Sequence, residues 1–193
     1  MLQGKPCIRV ATKHLNIKTL LIFTIFSFIL WGTGYLIAFV LPFEDIYNST
    51  RSITHKTDIA NFSSMDVENL TLRIILNNSK SILINITGFF SLGITTVLNL
   101  LFNGFMHGHS IRYSLSCIGN ETWVRILPHS FELIGLYLSG AVGFYNTSLL
   151  QKILSSRRII FKHYLYISSF FTFVAFIIII AAGIIEGEIS AHL

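Results

Sequence analysis

LLIFTIFSFILWGTGYLIAFV, from Leu20 to Val40, is a run of 21 residues without a charge. As a helix rising 1.5 Å per residue, such a run crosses the roughly 30 Å of a bilayer's hydrocarbon. The surrounding chain agrees with it. Its 193 residues are 52% hydrophobic and 12% charged, with a mean hydropathy of +0.66. Soluble domains carry about 25% charged residues, so this chain has too little charge to cover a water-facing surface. It is expected to be an all-α, polytopic membrane helix bundle, and a large folded enzyme domain is excluded.

The net charge of +5 is placed beside the apolar runs, with no aromatic interleaving of the kind RNA binding needs, so no nucleic-acid partner is expected. Lys5, Arg9, Lys13 and Lys18 precede or open the first run, and Lys152, Arg157, Arg158 and Lys162 lie between two later ones. A basic leader before an apolar run also describes a signal peptide. Here the run is too long and no small-residue cleavage site follows, so the first helix is read as an uncleaved anchor. Cys7 and Cys117 are too few and too far apart for a disulfide framework or a metal motif.

Four regions follow from this: a basic cytoplasmic leader at 1–19, a first transmembrane helix at 20–41, an extracytoplasmic loop at 42–81 and a membrane bundle at 82–193. Within the loop, Val67, Leu70, Ile74 and Ile75 fall at helical spacing, which suits an amphipathic helix on the membrane surface. Asn-x-Ser/Thr sequons recur there, as glycosylation on the outer side would allow, but also at Asn85 inside an apolar run in a chain rich in Asn, so nothing is drawn from them. Later apolar runs cover 82–102, 127–150 and 165–185. If both basic clusters are cytoplasmic, an even number of crossings separates them, whereas the obvious runs between them are odd in number. Either residues 104–118 form a further crossing, giving about five membrane segments, or one segment is broken or re-entrant.

Two faces carry the polar residues. In the third run, Glu132, Ser139 and Gly143 fall within about 40° of one another on a helical wheel, flanked by His129 and Gly135. The opposite side, with Ile134, Tyr137, Leu138 and Phe144, suits lipid. Gly135, Ser139 and Gly143 form a small-residue stripe for close helix packing, and Gly104 and Gly108 repeat that spacing elsewhere. Glu132 then points into the bundle, where a carboxylate needs a partner. His129, at i−3, is the nearest. The pair fits a proton relay, a metal site completed by His107, His109 or Glu186, or a polar clasp, and the metal question stays open. Asn85, Thr96, Asn99 and Asn103 lie along a common line if the second run is one continuous helix, and that line should meet Glu132. Glu186 ends the last apolar run, where composition alone makes it an interfacial carboxylate.

Leu127-Pro128-His129-Ser130-Phe131-Glu132-Leu133, followed by Ser139-Gly140-Ala141-Val142-Gly143, resembles the Pro-His-x-x-x-Glu motif and small-residue stretch of the stage II sporulation protein M family. Asn77-Asn78, Asn103-Gly104 with Gly108, and Ala181-Ala182 with Glu186 keep the same order. Position 130 is Ser where the family often has Gly. The resemblance implies a multi-pass integral membrane protein of bacteria or archaea, with Glu186 drawn inward towards His129 and Glu132. In spore formers the namesake works with a peptidoglycan-degrading partner; relatives sit beside ABC transporters or in circular-bacteriocin clusters.

The expected function is a membrane accessory or scaffold protein in the cell membrane, without enzymatic activity or cofactor. The alternative is a small permease subunit, and an intramembrane metal-dependent hydrolase ranks behind both. The expected partners are the lipid bilayer and a cell-wall hydrolase or ABC transporter, with self-association as a further option. Cysteine labelling at positions 116, 151 and 193 tests the topology. Gln151 should be cytoplasmic, with Ser116 and Leu193 outside; an external residue 151 would overturn the charge argument.

Overall fold

The computed structural model describes residues 17–41, 67–123, 129–155 and 161–192. Most of the basic leader, most of the loop and Pro128 lie outside the described residues. Five α-helices occur among the latter: α1 Ile17–Val40, α2 Val67–Thr87, α3 Ile94–Ile118, α4 His129–Leu154 and α5 Phe161–His192. No strand occurs among them. This is the arrangement a membrane demands of a chain that must satisfy its backbone hydrogen bonds internally. Polar residues inside the apolar helices comply by back-bonding: Ser27 Oγ donates to Phe23 O at 2.9 Å, and Thr24 and Thr33 do likewise to the carbonyls four residues earlier.

Helices α1, α4 and α5 are long and apolar enough to cross a membrane. Helix α4 is the hub. It packs against the other four helices, and 56% of its span is buried, compared with 17% for α1 and 28% for α5. Its neighbours fill the core in layers: Ala141, Val142 and Tyr145 against Leu20, Tyr164 and Ile167; Leu136 and Phe144 against Leu100. The lipid side expected on α4 is therefore reduced to Ile134, which is 54% exposed. Phe144 is buried against Phe23 and Phe26, and Tyr137 meets Phe28 and Trp31 edge-on. A central helix keeps only a narrow strip for lipid.

The second apolar run is broken. Helix α2 begins fifteen residues before that run, at Val67, and stops at Thr87; a 3-10 turn, Gly88–Ser91, then reverses the chain into α3. Leu92 and Gly93 take φ of 54° and 92°, and Gly93 N–H closes the turn on Gly88 O at 2.9 Å. Glycine adopts such a φ without cost, whereas Leu92 is strained there. Ser91 Oγ accepts the Thr95 N–H at 3.0 Å, satisfying one of α3's first donors. Rather than lying on a surface, α2 packs into the bundle, with Ile75 over Gly183 and Thr71 over Gly187 of α5.

Helices α1 and α3 run parallel in intimate backbone contact. A Cβ on Gly34 would strike Leu101 O, one on Gly104 would strike Trp31 O, and one on Gly108 would lie 2.6 Å from Tyr35 O and 2.9 Å from Ala38 Cβ. Small residues four apart on both partners, Gly34 and Ala38 on one and Gly104 and Gly108 on the other, let the helices close. Beyond them Arg112 Nη1 donates to the carbonyls of Ala38, Phe39 and Leu41, at 3.2, 3.3 and 2.7 Å. It caps the end of α1, where the helix dipole favours a cation.

These contacts give the bundle two ends. Lys18 shares a groove with His163, and Lys152 Nζ donates to Tyr164 OH at 2.7 Å, so α1 and α5 begin, and α4 finishes, at one end. Val40 and Arg112 mark the other. Gly104→Ala should lower the thermal stability of the detergent-solubilised protein by about 1–3 kcal/mol, the usual cost of overpacking. Gly32→Ala, where an added Cβ meets nothing within 4 Å, should leave the melting temperature unchanged.

Candidate functional site

The reversal between α2 and α3 folds the polar residues of both helices against each other. Thr96 Oγ1 donates to Asn85 O at 2.9 Å, and Asn99 Nδ2 donates to Asn85 Oδ1 at 2.9 Å and to Ser81 O at 3.1 Å. Asn103 Nδ2 continues the chain to Asn99 Oδ1 at 3.1 Å, and Ser81 Oγ donates to Asn103 Oδ1 at 3.4 Å. The expected common line of Asn85, Thr96, Asn99 and Asn103 thus exists, but across a hairpin rather than along one helix.

Asn85 also joins this seam to α4. Its Nδ2 donates to Ser139 Oγ at 2.9 Å and to Leu136 O at 3.4 Å, and Ser139 Oγ donates in turn to Leu136 O at 2.8 Å. Asn85 and Ser139 are fully buried. Close approach is what makes the bond possible, since a Cβ on Gly143 would collide with Asn85 O. Gly135 does the same on the α5 side, where an added Cβ would lie 2.9 Å from Ile179.

Towards the Val40 end, the seam opens on a cavity of about 10 Å³, lined by Asn78, Ser81, Asn103, His107 and Glu132 among others. Glu132, from the first turn of α4, is 5% exposed, and Glu186, from the last turns of α5, is 7% exposed. The two carboxyl groups hydrogen-bond to each other, and Asn78 donates to Glu132. Among the described residues, Glu132 Oε1 has no hydrogen-bond partner.

Glu186 is thus an interior group rather than an interfacial carboxylate in water. The side chain of His129 lies outside the described residues; the imidazole at the cavity is that of His107, while His109 stacks on Phe105 with ring centroids 6.3 Å apart. Among the described residues no three His, Cys, Asp or Glu side chains converge as metal ligands. Sequence reasoning passed over Ser81 and the role of Asn78. Their signal was available, because Asn78, Ser81 and Asn85 recur at i, i+3 and i+7 on one face of α2.

Asn85→Ala should destabilise the solubilised protein by about 1–3 kcal/mol, because Asn99 and Ser139 lose a buried partner. In a thermal-unfolding cycle with Ser139→Ala, the effects should be less than additive by about 0.6–2 kcal/mol. Strict additivity would mean that the bond carries no stability.

A family model described as Stage II sporulation protein M matches residues 19–191 of the chain. No curated protein and no solved structure matches it.

Proposed function

The chain belongs to the stage II sporulation protein M family, and from that premise we propose that this membrane protein is an accessory scaffold that recruits a second membrane or cell-wall protein. The observation that carries the reading is the closure of the polar seam. Asn85, Asn99, Asn103, Ser81 and Ser139 hydrogen-bond to one another, and Glu132 to Glu186 and Asn78. The cavity they leave, about 10 Å³, is the size of one water. Polar chemistry of this kind holds helices in a fixed relation, which favours the scaffold over a permease subunit.

The same reading sets all five helices across the bilayer, with the N-terminus in the cytoplasm. Lys18, Lys152 and Lys162 support it, since they share one end of the bundle and cytoplasmic flanks are rich in Lys and Arg. Glu132 and Glu186 then lie in the outer half of the membrane, near the side on which a cell-wall hydrolase works. An ABC transporter remains the other partner class. Affinity purification of the tagged chain in mild detergent should recover a second membrane or cell-wall protein in stoichiometric amount. Recovery of this chain alone would overturn the scaffold reading.

A further inference from the structure

A second concave site lies away from the polar seam, between the starts of α1 and α5. It is a groove of about 570 Å³, within the range of about 300–1,000 Å³ usual for small-molecule sites. Its mouth and its wall differ in chemistry. Lys18 and His163 stand at the mouth, while Ile167, Phe170 and Phe171 form the wall on α5. No acidic side chain lines it among the described residues.

We propose that this groove binds an anionic phospholipid from the leaflet that meets the starts of α1 and α5. Three features converge on that occupant. Lys18 is one residue from the start of α1 and His163 two from the start of α5, so both nitrogens stand where a spanning helix leaves hydrocarbon for headgroups. From His163 to Phe171 the wall descends about 12 Å along α5 at the helical rise, the direction an acyl chain takes below its phosphate. Lys18 has no acidic side chain beside it in the lining among the described residues, and the neighbouring stretch 151–163 holds Lys152, Arg157, Arg158 and Lys162 with no Asp or Glu. A soluble anion would gain from Lys18 and His163 but would leave the Phe170 wall uncovered. A zwitterionic lipid would cover the wall but would set its own ammonium or choline beside Lys18. Only an anionic lipid satisfies both parts of the groove.

Lys152 is already engaged, since its Nζ donates to Tyr164 OH and sits 5.4 Å from the centre of that ring. That contact ties α4 to α5. Lys18 is therefore the cation assigned to the lipid phosphate, with His163 beside it in the lining.

The test uses the full chain in nanodiscs of equimolar phosphatidylglycerol and phosphatidylcholine, followed by detergent release and native mass spectrometry of the retained lipid. Phosphatidylglycerol should be enriched about fivefold over phosphatidylcholine, as one interfacial cation provides. Lys18→Gln combined with His163→Gln should remove the enrichment, while Lys162→Gln, outside the groove, should retain it. Equal retention of the two lipids by the wild type overturns the proposal, as does enrichment that survives the double variant or is lost equally with Lys162→Gln. A photo-reactive residue at Phe170 supplies the second readout. Crosslinking to phosphatidylglycerol supports the proposal, and crosslinking to another copy of the chain or to a different protein instead overturns it.

Discussion

Hydrocarbon supplies no hydrogen bonds, so each polar group that enters it must meet a partner carried in by the protein itself. That constraint organises this bundle. Asn85 is the clearest instance, for it is fully buried and its amide ties α2 to both α3 and α4. Without the α2–α3 reversal, the amides of α3 would have no such counterpart. Without Gly143, the backbone of α2 could not come near enough to α4 for Asn85 to reach Ser139. The polar seam and the small-residue contacts are one device, because short side chains bridge helices only where backbones nearly touch.

The same rule separates what was legible in the sequence from what was not. Charge content and the run from Leu20 to Val40 sufficed for a membrane helix bundle, since they reflect solvent preference alone. Glu132 was legible as an inward residue because Ser139 and Gly143 share its face. The break between Thr87 and Ile94 was not, because Gly88-Phe89-Phe90-Ser91-Leu92-Gly93 is as apolar as its flanks and hydropathy does not register a change of direction. Only its two glycines marked the place. The lipid-facing side assigned to α4 failed for a related reason. A wheel shows which residues share a face, but it does not show how many neighbours the helix has, and Phe144 points at α1 rather than at lipid.

Glu186 shows how a family resemblance adds to such reasoning. From composition it stood at the end of an apolar run, an ordinary place for a hydrated carboxylate. Its burial follows from length: α5 continues to His192, so Glu186 is still within the helix and faces the first turn of α4. Nothing local announces this, since the residue that shelters it, Glu132, is 54 positions earlier. The Gly34 and Ala38 pair was missed for the opposite reason. It lay in the most obvious helix of the chain, and its four-residue spacing acquires meaning only beside that of Gly104 and Gly108.

The parallel pairing of α1 with α3 bears on biogenesis. Neighbouring helices in a chain can dock as a hairpin as soon as both have been synthesised, but α1 takes as its nearest companion a helix made two segments later. During translation the notch around Gly34 cannot be filled until α2 has been made, the chain has turned back and α3 has followed. The order of synthesis thus sets the earliest moment at which this pair can close, and the Leu92–Gly93 reversal is the turn that brings α3 alongside α1.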